Sequence, residues 1–290
     1  MINSRFLFRV RPVRGLAITF TFLALGALAS AQQDPPRELV RTAMQNQIND
    51  DRQPRLSAWK ERKYRGRQTQ IATIVQTPDG TLSRVALIDN QPLTPEQRAA
   101  EEARLRRMSE PEQMRRREKA RREDDERTRK MLSAIPDAFD FTIIDSTQAP
   151  NGHKLTRIRF TARPGFEPPT RESMVFTGMQ GEILVDETAH RLAKIDGTLF
   201  REVNFGWGIL GKLYPGGRFF VEQTEVTPSH WETTRMMLHF DGKALLFKSI
   251  HIDENETSWD YHPVPPMSVA QAMDFLTRSS QSPQDALLAP

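Results

Sequence analysis

The chain has 290 residues, enough to bury a substantial core in one large domain or two small ones. It has no cysteine, which excludes a disulfide scaffold, a thiolate zinc site, an iron–sulfur cluster and a cysteine nucleophile. Its 41 Lys+Arg and 37 Asp+Glu leave a net charge of +4, but the position of the arginines decides what that charge means.

Arg5, Arg9, Arg11 and Arg14 form a basic start, and Gly15 to Ala29 is an uncharged apolar run. Ala29-Ser30-Ala31 then offers the small residues of a cleavage site, so residues 1–31 read as a secretory signal peptide cut before Gln32. At about 15 residues the run is short for a bilayer span of about 20. Residues 1–31 hold four arginines and no acid, so the chain from Gln32 onward is balanced. The sequence therefore predicts an exported, periplasmic protein with no membrane span after cleavage and no nucleic-acid partner.

Asp34-Pro35-Pro36 is a helix start, and Val40, Met44 and Ile48 recur every four residues behind it. From Tyr64 the signal turns to strands, with Ile71, Thr73 and Val75 alternating and Asp79-Gly80 as a turn. The expected hairpin covers roughly 64–78 and 81–90. In residues 96–130, 23 of 35 are charged, 13 basic and 10 acidic. Thr94-Pro95-Glu96-Gln97 and Ser109-Glu110-Pro111-Glu112 read as two capping boxes. Six acid-before-base pairs at i,i+4 follow: Glu102–Arg106, Glu112–Arg116, Glu118–Arg122, Glu123–Arg127, Asp125–Arg129 and Glu126–Lys130. Together they supply roughly 1–3 kcal/mol to a solvated helix. The segment 94–131 reads as a charged helical insert, either a passive excursion between strands or a docking arm. Met131, Leu132, Ile135 and Phe139 then suggest one or two buried helical turns.

From Lys154 the chain reads as strands joined by short turns: Ile158 and Phe160, then Ile183 to Val185, a turn at Asp186-Glu187, then Ala193 to Leu199, Phe219 to Val221 and Met236 to Phe240. Asp241-Gly242 reads as a second hairpin turn, leading to Leu245–Asp253. This predicts an antiparallel meander with one apolar and one polar face. Ser268-Val269-Ala270-Gln271 opens a last helix with Val269, Ala272, Met273 and Leu276 on one stripe, and 279–290 is a polar tail. The expected class is α+β: a curved antiparallel half-barrel covered by helices, with a long charged helical insert. Residues 32–278 form one domain.

Three motifs carry possible chemistry. Gly206-Trp207-Gly208-Ile209-Leu210-Gly211 matches G-x-G-x-x-G, but Pro215, Gly216 and Gly217 follow where a dinucleotide site needs a helix, so a sharp bend is expected instead. His251 to His262 is rich in carboxylates that suit zinc or calcium, yet the acids beyond Asp253 read as the tip of a hairpin. The six histidines are scattered in surface-like contexts, and no G-x-S-x-G is present. No catalytic residue, metal or cofactor is expected. The aromatic content carries more: 16 Phe against 3 Tyr, with Phe205, Trp207, Ile209 and Leu210 clustered beside glycines as at a cavity mouth. A curved apolar sheet face can close into a plain core or stay open for acyl chains. If open, Phe205, Trp207 and Trp231 are the candidate ligand-binding residues.

Gly181-Glu182-Ile183-Leu184-Val185-Asp186, Arg191-Leu192-Ala193-Lys194-Ile195, Phe205 to Leu213, Gly216-Gly217-Arg218-Phe219, Trp231 and Ala244 to Lys248 carry a resemblance. The chain resembles the LolA/LolB superfamily of envelope proteins, and more closely a group of exported bacterial proteins of lipoprotein-sorting-like type. The resemblance implies a half-barrel and a non-catalytic binding role, with lipid or lipoprotein acyl chains as partners. The alternative is an envelope interaction module with a closed core, which docks an envelope protein through the charged helix.

Overall fold

The computed structural model describes residues 34–50, 56–205, 210–244 and 248–279. Residues 1–31, read as a signal peptide, residues 280–290 and the stretch 206–209, with Trp207, lie outside the described residues.

Helix α1 (Pro35–Asp50) starts at the Asp-Pro pair. Asp34 accepts from the Arg37 backbone N–H at 3.4 Å and from Arg37 Nε at 2.8 Å, tying down the first turn. Val40, Ala43, Met44 and Ile48 are buried along one stripe. Strand β1 (Ser57–Arg65) is missing from the sequence reading, which began the strands at Tyr64. Lys60, Glu61, Arg62 and Lys63 fill its middle and leave no apolar alternation. Its charges find partners on a distant strand, Lys60 with Asp260 at 3.0 Å and Lys63 with Glu256. After a turn at Gly66 (φ 59°) come β2 (Thr69–Thr77), the Asp79-Gly80 turn, β3 (Gly80–Ile88) and the two-residue β4 (Gln91–Pro92).

The charged segment forms two helices, α2 (Pro95–Met108) and α3 (Pro111–Ala138). The first capping box is reciprocal, with Gln97 N–H on Thr94 Oγ1 at 3.2 Å and Thr94 N–H on Gln97 Oε1 at 2.9 Å. The second is displaced by one residue: Ser109 closes α2, and Glu110 stands at the α3 N-cap without a side-chain bond. Glu112–Arg116, Glu118–Arg122 and Glu126–Lys130 pair as expected. Asp125 turns instead to Arg121, Arg127 to Asp124, and Glu102 to Arg84 across the fold. Helix α3 runs on through Pro136 to Ala138, absorbing the apolar turns expected after Met131, and Phe139 begins a strand.

The remaining strands are β5 (Phe139–Gln148), β6 (Lys154–Ala162), β7 (Met179–Asp186), β8 (Arg191–Leu199), β9 (Val203–Phe205), β10 (Gly211–Leu213), β11 (Arg218–Thr227), β12 (His230–Ala244) and β13 (Lys248–Pro263). A 3-10 helix spans Glu172–Gly178 before β7, and α4 (Val269–Ser279) ends the described chain. The strands form one open antiparallel sheet of 13, in the order β4-β3-β2-β1-β13-β12-β11-β8-β7-β6-β5, with β10 paired to β12 and β9 paired to β10. It is a curved α+β architecture, and not a simple meander: the first strand pairs with the last, Ser57 opposite Pro263 and Arg65 opposite Glu254.

Two expected turns are strand interior. Asp241-Gly242 lies inside β12, where Gly242 faces Leu213 on one side and Ile250 on the other. A Cβ there would stand 2.2 Å from the Lys212 carbonyl oxygen, so this glycine serves close strand approach. Glu254 to Tyr261 form no hairpin tip; β13 runs through them between β12 and β1, with Glu254 near Arg65 at 3.6 Å and Glu256 paired with Lys63.

The sheet is apolar on both faces, at different ends, where one apolar face was expected. Val75 packs with Ala58 and Leu82 beneath Leu105 of α2, Met114 of α3, and Ala272 and Leu276 of α4. The larger cluster, with Val40, Met44, Ile135, Phe139, Phe160, Ile183 and Phe240, lies under α1 and the C-terminal half of α3. Gln76, next to Val75, lines a cavity beside that second cluster, so the helices at the two ends cover opposite faces.

Glu101 of α2 is 8% exposed and holds the β3 edge. Its Oε1 accepts from Val85 N–H at 2.7 Å, and both oxygens accept from Arg104 at 2.6 Å, while Arg104 also donates to the Ser83 carbonyl. Glu101→Ala leaves a buried N–H and a guanidinium without their acceptor and is expected to destabilise by about 2 kcal/mol. Glu101→Gln, which keeps an acceptor, should lose less. Urea denaturation and amide exchange at Val85 check this, and unchanged exchange at Val85 in Glu101→Ala would overturn it.

Candidate functional site

Between the concave face and the helices lies a cavity of about 890 Å³. Its roof is one stripe of α3: Arg121, Asp125, Thr128, Leu132 and Ile135, at spacings of four, three, four and three. The stripe is polar toward the helix start and apolar toward its end. The floor takes alternate residues Phe219 and Val221 of β11 and Met236, Leu238 and Phe240 of β12, with Leu192 and Ile195 of β8 on either side of a register shift. Phe139 closes the apolar end, its ring centroid 4.7 Å from Phe160 and 5.4 Å from Phe176 of the 3-10 helix.

The floor depends on two glycines. Cross-strand register sets Phe160, Gly181, Gly197 and Phe219 in one row. A Cβ on Gly197 would meet Phe160 Cζ at 3.2 Å, so its absence makes room for that ring. A Cβ on Gly181 would stand 2.0 Å from the Asp196 carbonyl oxygen, so β7 and β8 approach there too closely for any side chain.

The other end is polar. Gln47 and Asp50 come from α1, Gln76 from β2 and Gln223 from β11. Asp50 is paired with Arg191, which also donates to the Asn46 carbonyl at 3.2 Å. Gln76 Oε1 and Gln223 Oε1 are buried acceptors without a protein partner. Arg121 is bracketed by Glu118 and Asp125. Hydrogen bonds from Arg121, and next from Arg122, hold the Glu118 carboxyl down at about 2, and Glu118 in turn raises Arg121 above its ordinary value.

Of the sequence candidates, Phe205 and Trp231 both line this cavity, half-buried, on β9 and β12. Trp207 lies outside the described residues. His230, expected at the surface, lines the cavity as well, only 12% exposed in its side chain, with Nε2 2.8 Å from Glu232. His153 Nδ1 sits 2.7 Å from the buried Asp186, and His239 and His251 are exposed beside Asp241. The residues missed at the sequence level are those of the α3 roof. Their 4-3-4-3 spacing was present, but its first half is polar and lies within a run of exposed charge. Among the described residues, no group of three His, Asp or Glu is placed to hold a metal ion, and no helix is long and apolar enough to cross a membrane.

On the same sheet face, Glu61 of β1 stands beside Glu256 of β13. Burial, and next the Glu256 carboxylate, push Glu61 up to about 7, while Lys63 pulls the other way. The folded chain then keeps a proton that the unfolded chain releases near 4.5. Folding stability is expected to be full below about pH 4.5 and to fall as pH rises to about 7, by about 1–2 kcal/mol for this half-buried group. Glu61→Gln should flatten that window. Urea midpoints at about pH 5 and about pH 8 test it, and an unchanged difference in Glu61→Gln would assign the dependence elsewhere.

No protein-family model matches the chain, and no curated protein matches it. Among solved structures, the crystal structure of a DUF1329 family protein from Desulfovibrio piger is similar at TM-score 0.26 and 10% identity, over 82% of this chain and 97% of that one.

Proposed function

We propose that the chain is an exported, non-catalytic binding protein of the bacterial envelope that holds the acyl chains of a lipid or lipoprotein in the cavity beneath α3. The observation that carries this reading is the cavity itself, about 890 Å³, apolar at the Phe139–Phe160 end and polar at the Gln76–Gln223 end. That size falls within the range of ligand sites, and its two ends suit an amphipathic molecule. Each methylene moved from water into the apolar end contributes about 0.8 kcal/mol, so a long chain is held without any catalytic or charged group. The sequence resemblance to the LolA/LolB superfamily, with its half-barrel, points the same way, and the leader read over 1–31 would deliver the protein to the periplasm.

Native mass spectrometry after gentle purification, together with displacement of a fluorescent fatty-acid probe, tests the proposal. A bound acyl species, or probe displacement by fatty acid or lipopeptide, is expected. A clean apo mass with no displacement would reject it. The interaction-module reading makes a different demand. Because α3 roofs the cavity, deleting 96–130 would remove lining and arm together. Reversing charges at the exposed residues Arg115, Arg116 and Arg122 separates them, since only the docking reading expects partner capture to be lost with probe binding intact.

A further inference from the structure

We infer that the opposite face of the sheet carries a second site, which takes an oxyanion, the phosphoryl or carboxylate group of a small ligand. The site is a groove of about 680 Å³ over β1, β13, β12 and β11. Arg62, Thr257 and Arg235 stand in one cross-strand row, Arg62 opposite Thr257 and Thr257 opposite Arg235. With strands about 4.8 Å apart, the two arginines are rooted roughly 10 Å from each other, with the threonine hydroxyl between them. The Arg235 guanidinium leans the other way, 5.5 Å from the Phe220 ring centroid, so the anion is placed at Arg62, Thr257 and Trp259 rather than between the two arginines.

The donors at the Arg62 end are unmet. The Arg62 guanidinium lies over the Trp259 ring, 5.8 Å from its centroid, which leaves its edge free. Trp259 is 7% exposed, packed on Ile71 and Leu87. Its Nε1 and the Nε of Arg62 are both buried donors with no hydrogen-bond partner. Among the described residues, Arg62 makes no ion pair, and its one aromatic contact is the Trp259 ring. Guanidinium and indole N–H groups only donate, so the missing partner must accept. An oxyanion accepts several hydrogen bonds at once and brings the opposite charge. The two acids on the groove leave that end clear: Asp260 is held by Lys60 at 3.0 Å, and Glu222 stands on β11 directly opposite Arg235, three strands from Arg62. A cation or a purely apolar ligand would leave both donors unsatisfied. This site does not depend on the cavity beneath α3.

Titration of the ¹⁵N-labelled full chain with inorganic phosphate, and separately with acetate, tests the inference against sodium chloride at matched ionic strength. Trp259→Phe assigns the indole N–H signal. That signal is expected to shift saturably, and Arg62→Gln should weaken the response at least tenfold. Thr257→Val, which keeps the side-chain shape and removes the hydroxyl, should weaken it too and gives the same readout if Arg62→Gln does not fold. A response to phosphate alone specifies phosphoryl ligands, and a response to both anions extends the class to carboxylates. A Trp259 signal that follows only the chloride control, or responds equally in Arg62→Gln and Thr257→Val, overturns the site.

Discussion

Replacing Phe160 by alanine is expected to destabilise the chain by about 3–5 kcal/mol, among the larger losses a single substitution produces. Phe160 is fully buried, and its ring meets Phe139 edge-on at 4.7 Å. It sits where β6, α3 and the 3-10 helix share one core cluster. Truncation removes the transfer free energy of the ring and leaves a void continuous with the cavity. Gly197, where a Cβ would meet Phe160 Cζ at 3.2 Å, has no side chain to move into that void. A midpoint lowered by roughly 10 °C in a thermal melt is the corresponding readout. Phe219→Ala, in the same cross-strand row but only half-buried, should lose less. Equal losses in the two variants would contradict the packing described for the apolar end.

The second large effect concerns backbone approach. Gly181→Ala is expected to lose about 3 kcal/mol, the upper part of the range for overpacking. The added methyl would lie 2.0 Å from the Asp196 carbonyl oxygen and 2.8 Å from the Gly197 Cα. Both are main chain, so no rotamer change relieves the clash, and the β7–β8 ladder must open. Gly197→Ala is the control. Its methyl would meet Met179 Cε at 2.7 Å and Phe160 Cζ at 3.2 Å, both far ends of side chains that can shift. Chemical denaturation of the pair should show Gly181→Ala as clearly the less stable. The reverse order would mean that the floor of the cavity yields at the backbone more readily than at the Phe160 ring.

Both effects bear on the proposed binding, because the same residues that close the core shape the apolar end of the cavity. Phe139 and Phe160 belong at once to the buried cluster and to the cavity lining. A ligand seated there would replace contacts the core lacks on its open side, so an acyl chain should raise stability in proportion to its occupancy.

Local features were legible in the sequence alone because their physics is local. Asp34 caps α1, Thr94 and Gln97 bond each other at the start of α2, and Ser268 and Gln271 do the same before α4. These groups lie three residues apart, and no distant part of the chain need intervene. The alternation of Ile158 and Phe160, and the turn at Asp79-Gly80, are of the same kind. Phe205 and Trp231 stood out as large aromatics beside glycines and turns, and the fold places both at the cavity. What the sequence left open depends on partners far along the chain. The charges of β1 are compatible with a central strand only because Asp260 and Glu256, nearly two hundred residues later, lie across from Lys60 and Lys63. Asp241-Gly242 becomes strand interior because β10 lies so close against it. The polar stripe of α3 turns inward because apolar residues at its end anchor the helix over the sheet. Nearest-neighbour chemistry therefore determined where the capped helices α1, α2 and α4 begin and where the chain turns at Asp79-Gly80. Long-range strand pairing decided which face each residue takes, because a side chain's surroundings are set by the strand across from it rather than by the residue beside it.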